Sequence, residues 1–424
     1  MLGFICYFVS KIFFKNLRTF PKEDTVKIGL KLAALLAIVF SLGRIGYAAQ
    51  ESRTQYPWWL KNSYIDFGVG YQHYPVSLGH FNTDSRISVR VPPLSVRLTL
   101  LGHNFSKSFS AQIMYLRPVK WVVYHEIDGI SSARSPTNIA GLTGRWTTPL
   151  QGPVSLYWEG GLGVVTRNRA SLYGRNLVEE ANYPTVLTGL GAKYRLNRVW
   201  DIQLGGVYLP PKKKFHQPST MAVSLGAVFN MRPLSADQVK ERMVADRLFP
   251  KHLLQFGAAT NRFGTGVNRF VSGKTMPIFW GGLAEVEKGY AARYQQNVFH
   301  GKKIFALDLG LSVGQWQSIG QKTSFVTFSA FPQFRFVLLR SKPADFYFSY
   351  SLAGPTYITK SEINGHQTGK RFTFQDLMGA GLYAGRQKEF NFEVGIGHYS
   401  NGNLFPRNAG IKIPLTFSAG YVFW

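Results

Sequence analysis

Residues 389–410 read EFNFEVGIGHYSNGNLFPRNAG and bring a histidine and a serine, His398 and Ser400, to the end of an alternating run. Phe390, Phe392, Val394 and Ile396 share one strand face with that pair, while Asn391, Glu393, Gly395, Gly397 and Tyr399 take the other. An imidazole and a hydroxyl two residues apart on one face have Cβ atoms about 7 Å apart, within reach of proton transfer from Ser400 to His398. This spacing permits a nucleophile and its base, but alone it is a weak signal, since His-x-Ser is common in strands and the Ser-Asn-Gly that continues it equally suits a turn. No metal or cofactor is needed for such chemistry, and none is expected. The single cysteine, Cys6, falls in an expected leader, which leaves oxygen and nitrogen side chains to do the work.

A base of this kind needs an acid to orient it, and the neighbouring strand can supply one. The runs at 372–385 and 389–400 are joined by a short turn around Arg386, Gln387 and Lys388. A hairpin centred on Gln387 sets Asp376 opposite His398, and sets Met378, Ala380, Leu382 and Ala384 opposite Ile396, Val394, Phe392 and Phe390. Asp376 is then the only carboxylate on that face. The alternative is a rim-exposed aspartate beside an unrelated histidine. Glu393 has the opposite parity and is expected in the interior. Other candidates are weaker. Lys212, Lys213 and Lys214 read more readily as a solvated loop, though they also suit anionic phosphates. Gly379, Ala380 and Gly381 read as strand packing rather than a dinucleotide loop, because no helix follows them.

The elements that must carry these residues are strands. Hydrophobic residues make up 45% of the 424, but in short runs, so neither a polytopic helical membrane protein nor a disordered chain fits. The formal charge of +27 follows no single stripe and accompanies no recognition motif, so no nucleic-acid partner is expected; a polyanionic membrane surface suits it better. Segments of about ten residues alternate apolar with small or polar side chains. In 154–166, for example, Val154, Leu156, Trp158, Leu162 and Val164 alternate with Ser155, Tyr157, Glu159, Gly161 and Gly163. A sheet with lipid-type residues outside and polar ones inside must close, because hydrocarbon cannot satisfy an open edge.

The expectation is therefore an all-β chain of transmembrane antiparallel outer-membrane β-barrels. Candidate strands fall at 64–74, 94–104, 107–117, 138–148, 154–167, 185–197, 199–211 and 219–231, then at 252–264, 278–298, 302–317, 324–340, 344–359, 372–385, 389–400 and 411–424. Between the two sets lies the best helical stretch after the leader, 232–251, with Ser235 as N-cap and Pro250 as stop. A segment of that kind suits a joint between two eight-stranded barrels in tandem, 50–231 and 252–424; one sixteen-stranded barrel is the alternative. Residues 1–49 read as a signal peptide, with a basic start, an apolar stretch at 32–42 and the small-residue ending Tyr47-Ala48-Ala49; a start near Val26 and a retained anchor are the other readings. The aromatic end, Gly420-Tyr421-Val422-Phe423-Trp424, resembles the C-terminal signature of bacterial outer-membrane proteins. With the C-terminus periplasmic, His398, Ser400 and the loop 401–410 sit at the external rim, facing lipid. A polar pair on a lipid face is costly and points to function.

The segment as a whole, His398, Ser400, Asn401, then Pro406-Arg407-Asn408-Ala409-Gly410 and a final aromatic strand, resembles the PagL-type lipid A 3-O-deacylases, acyloxyacyl hydrolase-like eight-stranded outer-membrane barrels. The resemblance covers about 30 residues closely and suits 252–424 in strand count. It does not extend to 50–231, which resembles small outer-membrane barrels only generically. It implies Ser400 as nucleophile, His398 as base and Asn408 near the oxyanion hole, with Asn401 beside them. Its implied partners are lipid A of lipopolysaccharide and the lipids of the outer membrane. The family carries its acid about four residues past the loop asparagine, and this chain has Lys412 there. The implied function is a serine carboxylic ester hydrolase acting on lipid A; the alternative is a structural or adhesive barrel that has lost the acid.

Overall fold

Period-two alternation of large apolar and polar side chains builds strands whose two faces meet different solvents. The structure is a computed structural model and describes residues 53–75, 87–90, 94–126, 132–173, 175–263 and 282–424; the expected signal peptide lies outside them. Eight strands, β1 (Ser63–His73), β2 (Leu94–Asn104), β3 (Phe109–Pro118), β4 (Thr137–Pro149), β5 (Val154–Arg167), β6 (Ala181–Arg195), β7 (Trp200–Leu209) and β8 (Thr220–Met231), close into one antiparallel barrel as β8 pairs with β1. Eight more, β9 (His252–Thr260), β10 (Ala284–His300), β11 (Phe305–Ser318), β12 (Ser324–Arg340), β13 (Ala344–Ile358), β14 (Phe372–Ala384), β15 (Phe390–Ser400) and β16 (Ile411–Phe423), close a second as β16 pairs with β9. The chain is therefore two closed barrels in tandem, and the single sixteen-stranded alternative is excluded.

Apolar residues cover the outside. Leu142, Trp158 and Leu190 are 60%, 59% and 69% exposed, as only lipid tolerates in such numbers. Inside each barrel, buried apolar clusters such as Met114, Ile139, Leu187 and Val207 share the lumen with polar networks. In the first barrel Glu159 is held by Arg97 at 2.7 Å, by Arg145 at 2.9 Å and by the Gln112 amide at 2.9 Å. The second barrel places Glu393 against Arg293 at 3.0 Å, with the hydroxyls of Tyr347 and Ser349 donating at 3.0 and 3.1 Å. Both charge clusters are paired and hydrogen-bonded, which is what makes their burial tolerable. Gly381 serves this packing, since a Cβ there would fall 2.5 Å from the Tyr347 hydroxyl.

The joint is a short helix, α1 (Ala236–Val244), begun by a capping box in which Ser235 accepts from the Gln238 amide and Gln238 from that of Ser235. After it, Asp246 pairs with Arg53 and His300, each at 2.9 Å, and Arg53 also donates to the carbonyls of Phe249 and Pro250. Beside this clamp Leu60 and Met231 of the first half pack with Phe299 and Leu307 of the second, and Tyr56 stacks on Phe299 at 4.5 Å. Long connections lie at the opposite, external end of each barrel, where 401–410 is the last of them.

Candidate active site

β15 alternates as a barrel strand should, with Phe390, Phe392 and Val394 exposed and Asn391, Glu393 and Tyr399 buried inside. His398 and Ser400 end its outward row, and there the exposure drops: His398 is 1% exposed and Ser400 half-buried. The hairpin to β14 pairs Phe374 with Ser400, Asp376 with His398, Met378 with Ile396 and Ala380 with Val394. This is the register that a turn centred on Gln387 dictates. Asp376 Oδ2 lies 3.3 Å from His398 Nδ1, and both side chains are buried. With the proton on Nδ1, the ring donates to the carboxylate and leaves Nε2 as an acceptor.

Two bulges shape this corner. In β13, Ser351 pairs with Leu377 but Gly354 with Gln375, so Leu352 and Ala353 together oppose Asp376. Ala353 takes φ 54°, a left-handed conformation costing a non-glycine residue about 1–2 kcal/mol. Its N–H donates to Asp376 Oδ1 at 2.8 Å, and a hydrogen bond to a charged group contributes about 1.5–3 kcal/mol, enough to offset that cost. In β16, Gly395 pairs with Thr416 but Gly397 with Ile413, so the strand's parity flips around Pro414 and Leu415. The flip puts Lys412 opposite His398, where its ammonium is taken by Glu285 at 3.0 Å. The position at which the resemblance implies an acid thus holds a paired lysine, while a carboxylate reaches the imidazole from the other side.

The loop beyond Ser400 is built from side-chain caps. The Asn401 N–H donates to Asn408 Oδ1 at 3.0 Å, and the Asn408 amide donates to Asn403 Oδ1 at 3.0 Å. Asn401 is fully buried, its own amide 3.4 Å from the Thr368 carbonyl. Next to Ser400 stands an aromatic wall that sequence reasoning missed: Phe374 is its strand partner, Phe372 lies 5.1 Å from Phe374, and Phe405 of the loop is 6.4 Å from Phe372. Its only sequence signal is the outward parity of two phenylalanines in FTF. Lys212, Lys213 and Lys214 are exposed in the first barrel's loop between β7 and β8, where Lys214 lies over Phe215 at 5.9 Å. Glu393 is in the lumen, with Arg293. A cavity lined by Arg293, Trp316, Gln375, Glu393 and Tyr399 also opens inside the lumen, behind the wall that carries His398, and is not part of this site.

The Asp376–His398 pair stands two residues from the Ser400 hydroxyl on an outward face walled by aromatic rings, and these are the residue types that nucleophilic ester cleavage uses. Fold and exterior together define a bacterial outer-membrane β-barrel protein. Its C-terminal barrel is lipid A deacylase-like: residues 288–420 match the family model of lipid A 3-O-deacylase (PagL). Among solved structures, the chain is similar to the outer membrane enzyme PagL, at 16% identity and TM-score 0.26, covering 41% of this chain and 99% of that one. It is similar also to Neisserial surface protein A, at 15% identity and TM-score 0.28, covering 40% and 97%. The N-terminal β-barrel domain of Pseudomonas aeruginosa OprF follows at 13% identity and TM-score 0.26, covering 40% and 98%. No curated protein matches the chain.

Proposed function

We propose that the C-terminal barrel is a serine esterase that removes an ester-linked acyl chain from lipid A in the outer leaflet. The observation that carries this reading is the Asp376–His398 pair at 3.3 Å, buried on the lipid-facing row that ends at Ser400. The family match over 288–420 supports the substrate class. In the reaction, Ser400 Oγ attacks the ester carbonyl and its proton passes to His398 Nε2. Asp376 holds the ring through Nδ1 and stabilises the imidazolium. Asn408, hinged on Asn403 and Asn401, offers its amide to the developing oxyanion. The imidazolium then protonates the departing sugar alkoxide, leaving an acyl-serine. Water, deprotonated by the same imidazole, hydrolyses that ester, so that one water is consumed and one fatty acid released per cycle. Phe372, Phe374 and Phe405 give the acyl chain an apolar wall, and the lysines 212–214 are candidates for the glucosamine phosphates.

Lys412, in the place of the family acid, favours a second reading, a structural or adhesive barrel without activity. Purified protein incubated with lipopolysaccharide in detergent separates the two. The esterase reading predicts free fatty acid from the wild type and none from Ser400→Ala. Equal release, or none from either, contradicts it.

A further inference from the structure

Beyond lysines 212–214, the first barrel has no part in the chemistry above, yet its outer wall reaches the site loop. On most of that wall the outward rows are aliphatic, as in Leu142 of β4, Leu162 of β5 and Val186 and Leu190 of β6. At the external end of four adjacent strands the same rows turn polar: Tyr115 on β3, Asn138 on β4, Thr166 on β5 and Asn182 on β6. These side chains grip the backbone of the loop. The Asn182 amide donates to the Leu404 carbonyl at 2.7 Å, and the Thr166 hydroxyl approaches the same oxygen at 3.3 Å. The Tyr115 hydroxyl lies 3.2 Å from the Gly402 carbonyl and 2.9 Å from Asn138 Oδ1. Asn138 and Thr166 are both only 2% exposed.

The two gripped carbonyls flank Asn403, which sits at φ 54° and whose Oδ1 accepts the Asn408 amide. Asn408 in turn caps the N–H of Asn401, the residue after Ser400. Hydrogen bonds joined by short backbone links thus connect the wall of one barrel to Asn401, the residue next to Ser400, in the other. We infer that the N-terminal barrel is a positioning subunit fused to the esterase: Asn182, Thr166 and Tyr115 fix the loop 401–410 so that Asn408 stands where the oxyanion forms. None of the three touches the reacting atoms. The inference rests on the esterase reading.

The test uses the full chain, with Asn182→Ala/Thr166→Val as the variant and Thr166→Ser as its conservative counterpart. Two readouts are taken: turnover of purified lipopolysaccharide, and amide hydrogen exchange of residues 401–410. Losing two hydrogen bonds of ordinary strength should lower kcat on the order of tenfold, with KM within about twofold, and speed exchange in the loop to a similar degree. Thr166→Ser should restore the Thr166 share of both. A variant that exchanges faster but turns over normally overturns the positioning role. Unchanged exchange overturns the anchoring. A raised KM with normal kcat also overturns it, because the wall would then be binding substrate. A wild type that releases no fatty acid brings down the esterase reading, and this inference with it, whereas an active wild type and an equally active double variant bring down this inference alone.

Discussion

In the proposed chemistry His398 is the base, and the carboxylates of β14 and β15, Asp376 and Glu393, make opposite predictions. Asp376 accepts from His398 on the outward face, whereas Glu393 faces inward and neutralises Arg293. Asp376→Asn should lower deacylation on the order of 10⁴-fold with the barrel intact, because the amide no longer stabilises the imidazolium. Glu393→Gln should instead cost stability, on the order of 3–5 kcal/mol for an orphaned buried charge, while folded molecules stay active. Side-by-side turnover and thermal unfolding of the two variants in detergent separate these outcomes, and a fully active Asp376→Asn would remove the aspartate from the mechanism. Ser400→Ala, His398→Ala and the double variant should be about equally inactive, since a nucleophile and its base act as a unit; additive losses in the same assay would contradict that. The register that sets Asp376 against His398 was legible, because strict alternation and a short connection, 385–389, leave little freedom in the hairpin. The support of Asp376 by the Ala353 N–H was not, because a backbone donor freed by a bulge leaves no side-chain signature.

At the scale of elements, strands and their order follow from alternation, but ends and bulges do not. The stretch ANYPT suggests a turn, so the sequence starts that strand at 185, whereas β6 begins at Ala181 because its ladder with β5 continues to Arg167. Those extra residues include Asn182, which holds the site loop. The parity flip at Pro414 is likewise invisible to a period-two reading, though a proline inside a strand is its natural marker. The linker adds a pH prediction. Burial alone would raise the Asp246 carboxyl, but hydrogen bonds from His300 and Arg53 and the charge of Arg53 hold it below its ordinary value of 3.8. A carboxyl depressed in the fold stabilises it above the unfolded pKa and loses that contribution as pH falls through the folded one. The clamp should therefore stay closed at neutral pH and loosen only below about pH 4. Pepsin should cut the wild type between 246 and 251 only in that acid range, and Asp246→Asn should be open to trypsin in the linker at pH 7; a linker equally resistant in both would contradict the clamp.

For the whole molecule, each ladder closes on itself, so residues 252–424 expressed alone should refold in detergent and shift in electrophoretic mobility on heating. Freed from the first barrel's wall, that fragment should keep its activity at about a tenth of the full-chain rate. Failure to refold while the full chain folds would mean that the halves depend on each other. The division into two barrels was legible from the strand count and the one polar helix between the sets. Their contact was not, since no local pattern tells a polar residue at the water-facing rim from one that meets a second barrel. The central claim, that this chain deacylates lipid A, is tested most directly by mass spectrometry of lipid A from cells expressing the wild type, cells expressing Ser400→Ala and cells with neither. The account predicts lipid A lighter by one ester-linked acyl chain only with the wild type; lipid A of the same mass in all three would contradict it.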